Sequence, residues 1–112
     1  MGYLYPMTLF HVTDKNGLAG IAQHGFRPAI GPRSQRLGEK REAIYFFRKR
    51  EFVDDAVCGW MGDVFPPSSK LYCLEVELPD HIPFLSDPNF GEIEAIVEAE
   101  IPPSSVKSAT EI

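Results

Sequence analysis

The chain has few cysteines and no long apolar run, and each shortage removes a class of structure. Cys58 and Cys73 are its two cysteines, and they form no Cys-x-x-Cys pair. Because no secretory segment opens the sequence, we expect both residues to be reduced thiols in a cytoplasmic protein. The longest apolar stretches have about five residues, whereas a membrane-spanning helix needs roughly 20. The sequence therefore predicts a cytoplasmic protein that does not enter a membrane.

Several common catalytic motifs are also missing. No glycine-rich segment has either of the usual phosphate-binding spacings, which disfavours dinucleotide binding by a Rossmann fold. His11, His24 and His81 do not pair with one another or with a cysteine at metal-ligand spacing, so we expect no metal site. The serines stand outside any strand-turn-helix context that would expose a nucleophile, so hydrolysis by a serine nucleophile has no support.

The charges are unevenly distributed along the chain. The net charge is −5, yet eight basic residues and two acidic residues lie between Arg27 and Arg50. From Glu51 onward there are thirteen acidic residues and two lysines. A basic segment on an acidic body suits a phosphate-bearing small ligand or a nucleic-acid end better than a long duplex, because the acidic remainder repels a long phosphate backbone. A solvated charged loop explains the same pattern equally well.

A length of 112 residues predicts a single domain spanning 1–112. Apolar patterns and turn residues predict five strands, at 8–12, 43–47, 70–78, 81–85 and 92–101. One helix is expected between a cap at Asp14 or Asn16 and a stop at Gly25, with Leu18, Ile21 and Ala22 on its apolar face. A second helix is expected over 50–60. Residues 27–41 predict a loop, and Pro102 and Pro103 are expected to end the last strand.

One polar residue lies within each of three segments that otherwise resemble buried strands: His11, Tyr45 and Glu94. A polar side chain in an apolar strand must find a hydrogen-bond partner or a ligand. We therefore expect the three side chains to converge on one cleft. The alternative for each residue alone is structural, as a satisfied core histidine, an aromatic core ring and a solvated acid.

The segments that carry these residues resemble the three motifs of the ADP-ribosyltransferase superfamily. Leu9–Thr13, followed by a short helix, is similar to its His-x-Thr strand. Ala43–Phe47 is similar to its tyrosine-bearing aromatic strand, and Glu94–Pro102 to the glutamate strand of small bacterial toxin-like members. The resemblance implies an α+β fold in which a split, twisted, mainly antiparallel pair of sheets encloses an NAD cleft, with two short helices outside.

The resemblance also implies a role for each residue. His11 would donate a hydrogen bond to the ribose of NAD, and Thr13 would support that end of the pocket. Tyr45 would lie against the cationic nicotinamide ring, which an aromatic face attracts. Glu94 would stabilise the positive charge that develops on the ribose as nicotinamide leaves.

A second carboxylate and several arginines complete the expected site. Glu92 lies two residues before Glu94, and residues two apart on a strand share a face, so Glu92 competes with Glu94 for the catalytic role. The Glu-x-Glu pair of some arginine-modifying members of the superfamily implies that both residues are used, with Glu92 orienting the acceptor. Arg33, Arg36 and Arg41 are expected to meet the pyrophosphate, because guanidinium groups match phosphate oxygens.

By resemblance, the function is that of a mono-ADP-ribosyltransferase which uses NAD as substrate, without a metal, and modifies a protein or a nucleic acid. Toxin-like or phage-type effectors are the implied setting, with an antitoxin or immunity protein as a further partner. Related reactions stay open, namely NAD hydrolysis and RNA 2′-phosphotransfer, although enzymes of the latter kind usually carry a preceding domain. The alternative outside enzymology is a binding or regulatory module that has lost catalysis on the same scaffold.

Overall fold

The computed structural model describes residues 7–29, 42–59, 69–86 and 92–112. In chain order the helices and strands are β1 (Met7–Asp14), α1 (Lys15–His24), β2 (Ile44–Phe47), α2 (Arg50–Cys58), β3 (Leu71–Leu78), β4 (Leu85–Ser86), β5 (Glu94–Val97) and β6 (Val106–Glu111), with a 3₁₀ turn at Pro103–Ser105. The predicted α+β class is confirmed. Neither described helix has the length and apolar character needed to cross a bilayer.

The described strands form one antiparallel sheet in the order β4-β5-β2-β1-β3-β6. Strands β1 and β3 pair along their full length, from Met7 opposite Leu78 to Asp14 opposite Leu71. In contrast, β1 and β2 share one register pair within the described residues, Phe10 opposite Phe47. The sheet therefore consists of two three-stranded halves that meet at this narrow junction, which we call the seam. We expected a split, twisted pair of sheets with a cleft between its halves; the described strands form one sheet that is divided at the seam.

Each side of the sheet has its own apolar cluster, because successive side chains along a strand point to opposite faces. The larger cluster lies on the side of α1 and includes Leu9, Phe46 and Leu74 among its buried members. The smaller cluster lies on the side of α2, which packs Val53 and Ala56 with strand residues of that face. The two helices thus cover opposite faces of the sheet.

Helix α1 begins and ends as its sequence predicts. The carboxylate of Asp14 accepts a hydrogen bond of 2.8 Å from the Gly17 amide, which satisfies a free donor of the first turn. At the other end, Gly25 has a φ of 77° and donates its N–H to the Ile21 carbonyl at 2.8 Å. Ile21 also packs against the core, whereas Ala22, expected on the same apolar face, is exposed.

Two expectations need correction. Strand β5 begins at Glu94, so Glu92 lies in the preceding turn and outside the strand. The prolines at 102 and 103 end one extended segment, but a further strand, β6, follows them. Cys58 is exposed, unlike the buried Cys73, although both are free thiols. The predicted loop at 27–41 lies mostly outside the described residues.

The C-terminal stop of α1 gives a first test. Gly25 combines its φ of 77° with a ψ of −165°, a region that side chains with a Cβ essentially do not occupy. A Cβ there would also collide with the Ile101 carbonyl oxygen. We expect Gly25→Ala to lower the free energy of unfolding by about 1–3 kcal/mol, measured by urea denaturation.

Gly20→Ala is the matched control, since a Cβ at Gly20 meets no atom within 4 Å. In the middle of a helix this substitution should stabilise the protein by about 0.5–1 kcal/mol. Equal effects of the two substitutions would contradict the assigned helix stop.

Candidate functional site

The strands that carry His11, Tyr45 and Glu94 are neighbours in the sheet, in the order β1, β2, β5. These residues are separated by up to 83 positions in sequence, yet they lie on three adjacent strands. The seam runs between the first strand and the other two. The geometry at the seam therefore decides what the three residues can do together.

His11 connects the two halves of the sheet. Its Nδ1 lies 2.9 Å from the Tyr45 carbonyl oxygen, and because a carbonyl can only accept, Nδ1 carries the proton. If the register of the Phe10 and Phe47 pair continued, Val12 would lie opposite Tyr45. The imidazole instead donates a hydrogen bond to the Tyr45 carbonyl at the point where β1 and β2 stop pairing. A side-chain hydrogen bond thus replaces a strand hydrogen bond at the seam.

Burial sets the charge of this histidine. Desolvation lowers the pKa of His11 below its ordinary value of 6.5, and the hydrogen bond to the Tyr45 carbonyl only partly opposes that effect. At neutral pH the ring is therefore uncharged, with a proton on Nδ1 and a lone pair on Nε2. The expected role as donor to a ribose needs correction, because the remaining nitrogen of this tautomer accepts a hydrogen bond from a hydroxyl.

The His11 ring does not point to the side of Tyr45. It packs edge-on against Phe26 at a centroid distance of 5.0 Å and lies 5.5 Å from Phe46. These rings belong to the apolar cluster on the α1 side. Tyr45 precedes Phe46 in the strand and so projects to the opposite face. The structure therefore does not bring all three side chains into one cleft in the way the sequence predicts.

Tyr45 and Glu94 do share a face. Phe47 lies opposite Glu94 and Tyr45 opposite Ile96 in the paired strands β2 and β5, so Tyr45 and Glu94 are diagonal neighbours on the α2 side. Glu94 is only 3% exposed, and Tyr45 is half-buried. A buried carboxyl group beside a partly open aromatic ring is the chemically distinctive part of this face.

The other predicted site residues are distributed differently. Thr13 is buried, and a Cβ on Gly17 would collide with its hydroxyl oxygen, so Thr13 packs beneath the first turn of α1. Glu92 is exposed in the turn before β5, which removes the argument that it shares a strand face with Glu94. The three arginines expected to meet a pyrophosphate, Arg33, Arg36 and Arg41, lie outside the described residues.

Sequence reasoning missed Arg48, which follows β2 directly. Its backbone amide donates to the Ile93 carbonyl at 2.8 Å, and its Nη2 donates to Ser86 Oγ at 2.8 Å. The guanidinium carbon lies 5.1 Å from the centre of the Phe84 ring, and the buried Nε finds no hydrogen-bond partner in the part of the chain that the structure describes. The only signal in the sequence was membership of the basic run, which does not reveal that β4 lies within reach.

One apolar cavity of about 250 Å³ lies at the outer half of the sheet, lined by Pro83, Leu85, Ile96, Glu98 and Ala99. None of the predicted site residues lines it. Its volume is below the range of roughly 300–1,000 Å³ that encloses drug-sized ligands, so a dinucleotide does not fit inside it. Among the described residues, no group of three or more acidic, histidine or cysteine side chains is placed to hold a metal ion.

Comparison of the chain with protein-family models and with curated proteins gave no match. Its function must therefore be argued from its own residues.

The tautomer of His11 can be tested directly. Nitrogen-15 NMR of the imidazole should show a proton on Nδ1 and a pKa below 6.5, since burial disfavours the charged ring. Because the unfolded chain then binds more protons, the His11 contribution to stability is complete above pH 6.5 and is lost as the pH falls through the lowered pKa.

Urea denaturation of wild type and His11→Gln across this pH range should accordingly show a steeper loss of stability in wild type. A pKa at or above 6.5 would contradict the burial of the ring, and a proton on Nε2 at neutral pH would contradict the assigned hydrogen bond at the seam.

Proposed function

We propose that this protein is an NAD-dependent mono-ADP-ribosyltransferase. The observation that carries the proposal is the pair of Tyr45 and Glu94 on one face of two directly paired strands, beside a seam where the sheet divides. The resemblance of the three strand segments to the His, Tyr and Glu motifs of that superfamily supports the same conclusion. No metal has a role in this chemistry.

The pair suits the breaking of the bond between nicotinamide and ribose. Tyr45 presents a half-buried ring on which a flat cationic pyridinium can stack. When nicotinamide leaves with the bonding electrons, positive charge develops on the ribose, and the Glu94 carboxylate stabilises it. An acceptor nucleophile then forms the new bond to the ribose carbon and loses its proton. Burial of Glu94 strengthens such an interaction, because the local dielectric is low.

The proposal gives His11 a different role from the one its sequence implied. By holding the Tyr45 carbonyl at 2.9 Å, the imidazole fixes the backbone from which the tyrosine ring projects. His11 thus acts as a positioning residue.

Charge at the ends of β5 favours a protein acceptor over a nucleic acid. Glu92 and Glu100 are exposed on the segments that flank this strand, and Arg27 lies 3.9 Å from Glu100. A polyanion would be repelled here, whereas a basic protein surface would be attracted.

The orientation of His11 favours one second candidate, a binding module without catalysis. Its ring packs among apolar rings on the face opposite Tyr45, which removes one of the three side chains expected to converge. In this alternative the Tyr45 face binds a partner, and Glu94 contributes to that binding alone.

Glu94→Gln separates these candidates. Because the carboxylate stabilises charge that appears only as nicotinamide leaves, we expect turnover to fall by about 10² to 10³ while NAD affinity changes little. Nicotinamide release gives the turnover, and calorimetric titration with NAD gives the affinity. Tyr45→Ala should instead weaken NAD binding, since stacking already exists in the ground state.

Glu92→Gln is the matched control, because it removes an exposed carboxylate two residues away from the buried one. It should leave nicotinamide release unchanged. Wild-type protein that releases no nicotinamide and does not bind NAD would overturn the proposal in favour of the binding module. Equal losses from the two glutamine variants would mean that Glu94 has no special role.

A further inference from the structure

Arg48 links the three strands of the half-sheet that carries Glu94. Its backbone amide is bonded to Ile93, the residue directly before Glu94, at 2.8 Å. Its side chain reaches past β5 to Ser86 in β4, also at 2.8 Å. One residue at the end of β2 is therefore attached to both other strands near the first residue of β5.

The pairing between β4 and β5 is short. Strand β4 has two residues and pairs with β5 only through Leu85 opposite Ile96 and Ser86 opposite Ala95. Ser86 lies opposite Ala95, the residue after Glu94, so the hydrogen bond from the Arg48 guanidinium adds a side-chain link between β2 and β4 beside the first residue of β5. Because Ala95 and Glu94 point to opposite faces, this link acts on the backbone of β5.

Burial of the Arg48 Nε lowers the stability of the fold, and a role in packing alone does not explain why this residue is an arginine. Its Nε is buried and has no hydrogen-bond partner among the described residues, and an unsatisfied buried donor is destabilising. A methionine of similar length would cover the Phe84 ring, which lies 5.1 Å from the guanidinium carbon, without that cost. What methionine cannot supply is the hydrogen bond to Ser86.

We propose that Arg48 is a positioning residue for Glu94: through Ser86 and the Ile93 carbonyl it fixes the start of β5, and so the orientation of the Glu94 carboxyl group. An effect of Arg48 on catalysis follows only if the proposed function is correct. The positioning itself is independent of turnover, and the experiment measures the two separately.

The variants are Arg48→Met, which keeps the contact with Phe84 and loses the donors, and Ser86→Ala, which removes the acceptor. Arg50→Ala is the matched control, because it removes the same charge two residues later, where Arg50 pairs with Asp54 on the exposed face of α2 at 3.6 Å. The double variant Arg48→Met/Ser86→Ala tests whether the two side chains act as one unit.

The first readout does not require catalysis. In protein labelled with carbon-13 at glutamate carboxyl groups, the Glu94 resonance is assigned by its absence in Glu94→Gln. We expect Arg48→Met and Ser86→Ala to shift this resonance and to speed amide exchange in β5 by about tenfold, with β1 and β3 unchanged. Arg50→Ala should change neither quantity.

The second readout is kinetic. Per folded molecule, Arg48→Met and Ser86→Ala should each lower kcat for nicotinamide release by about tenfold with KM for NAD unchanged, because a misplaced carboxylate loses transition-state stabilisation only. The double variant should lose no more than the worse single variant. A purely structural role would instead reduce the folded fraction and leave kcat per folded molecule intact.

The outcomes separate the two ideas. Wild-type protein without turnover would overturn the proposed function, and the carboxyl resonance and amide exchange would then decide the positioning role alone. An unmoved Glu94 resonance in Arg48→Met, additive losses in the double variant, or an equal effect of Arg50→Ala would each overturn the role of Arg48.

Discussion

The hydrogen bond from His11 Nδ1 to the Tyr45 carbonyl is the interaction on which the central geometry depends. Strands β1 and β2 share one register pair within the described residues, and the imidazole takes the next carbonyl that a continuing ladder would have used. This hydrogen bond gives the carbonyl a partner from β1 at the seam. The bond closes the seam at one point and lets the halves diverge beyond it. A polar residue in an apolar strand therefore has a structural role before it has any chemical one.

The sequence predicted the local elements well, because local rules determine them. Asp14 caps α1 since its carboxylate reaches the Gly17 amide three residues later, and Gly25 ends the helix since only glycine tolerates that backbone. Strand β6 was not predicted, because its segment VKSATE is polar and nearly all exposed. Its strand conformation comes from pairing with β3, a partner that no local pattern reveals.

The sequence predicted which residues belong to the candidate site but not how they are arranged. The difference arises because residues at odd and even positions of a strand point to opposite faces of the sheet. Pairing of Phe10 with Phe47 places even-numbered residues of β1 on the same face as odd-numbered residues of β2. His11 is odd, so it lies with Phe46, whereas Tyr45 lies with Phe47 and Glu94. A shift of one residue between β1 and β2 would have placed His11 with Tyr45. Register depends on tertiary packing, and one sequence read alone does not contain it.

The strongest pointer to function is the residue whose burial is hardest to justify by stability. Neutral His11 and half-buried Tyr45 can be part of an aromatic core with little loss of folding free energy. Glu94 is different, because it is an acid in a four-residue strand whose members are all buried. Replacing a whole buried ion pair by apolar residues is often neutral, or stabilising by about 1–4 kcal/mol, so a buried carboxylate is weak evidence for stability. The neighbouring Arg48 repeats the pattern, with a buried donor left unsatisfied among the described residues of the same half-sheet. The desolvation cost of burying a carboxyl group and the Arg48 Nε at one end of β5 is better explained by what these groups hold in place than by the folding of the sheet.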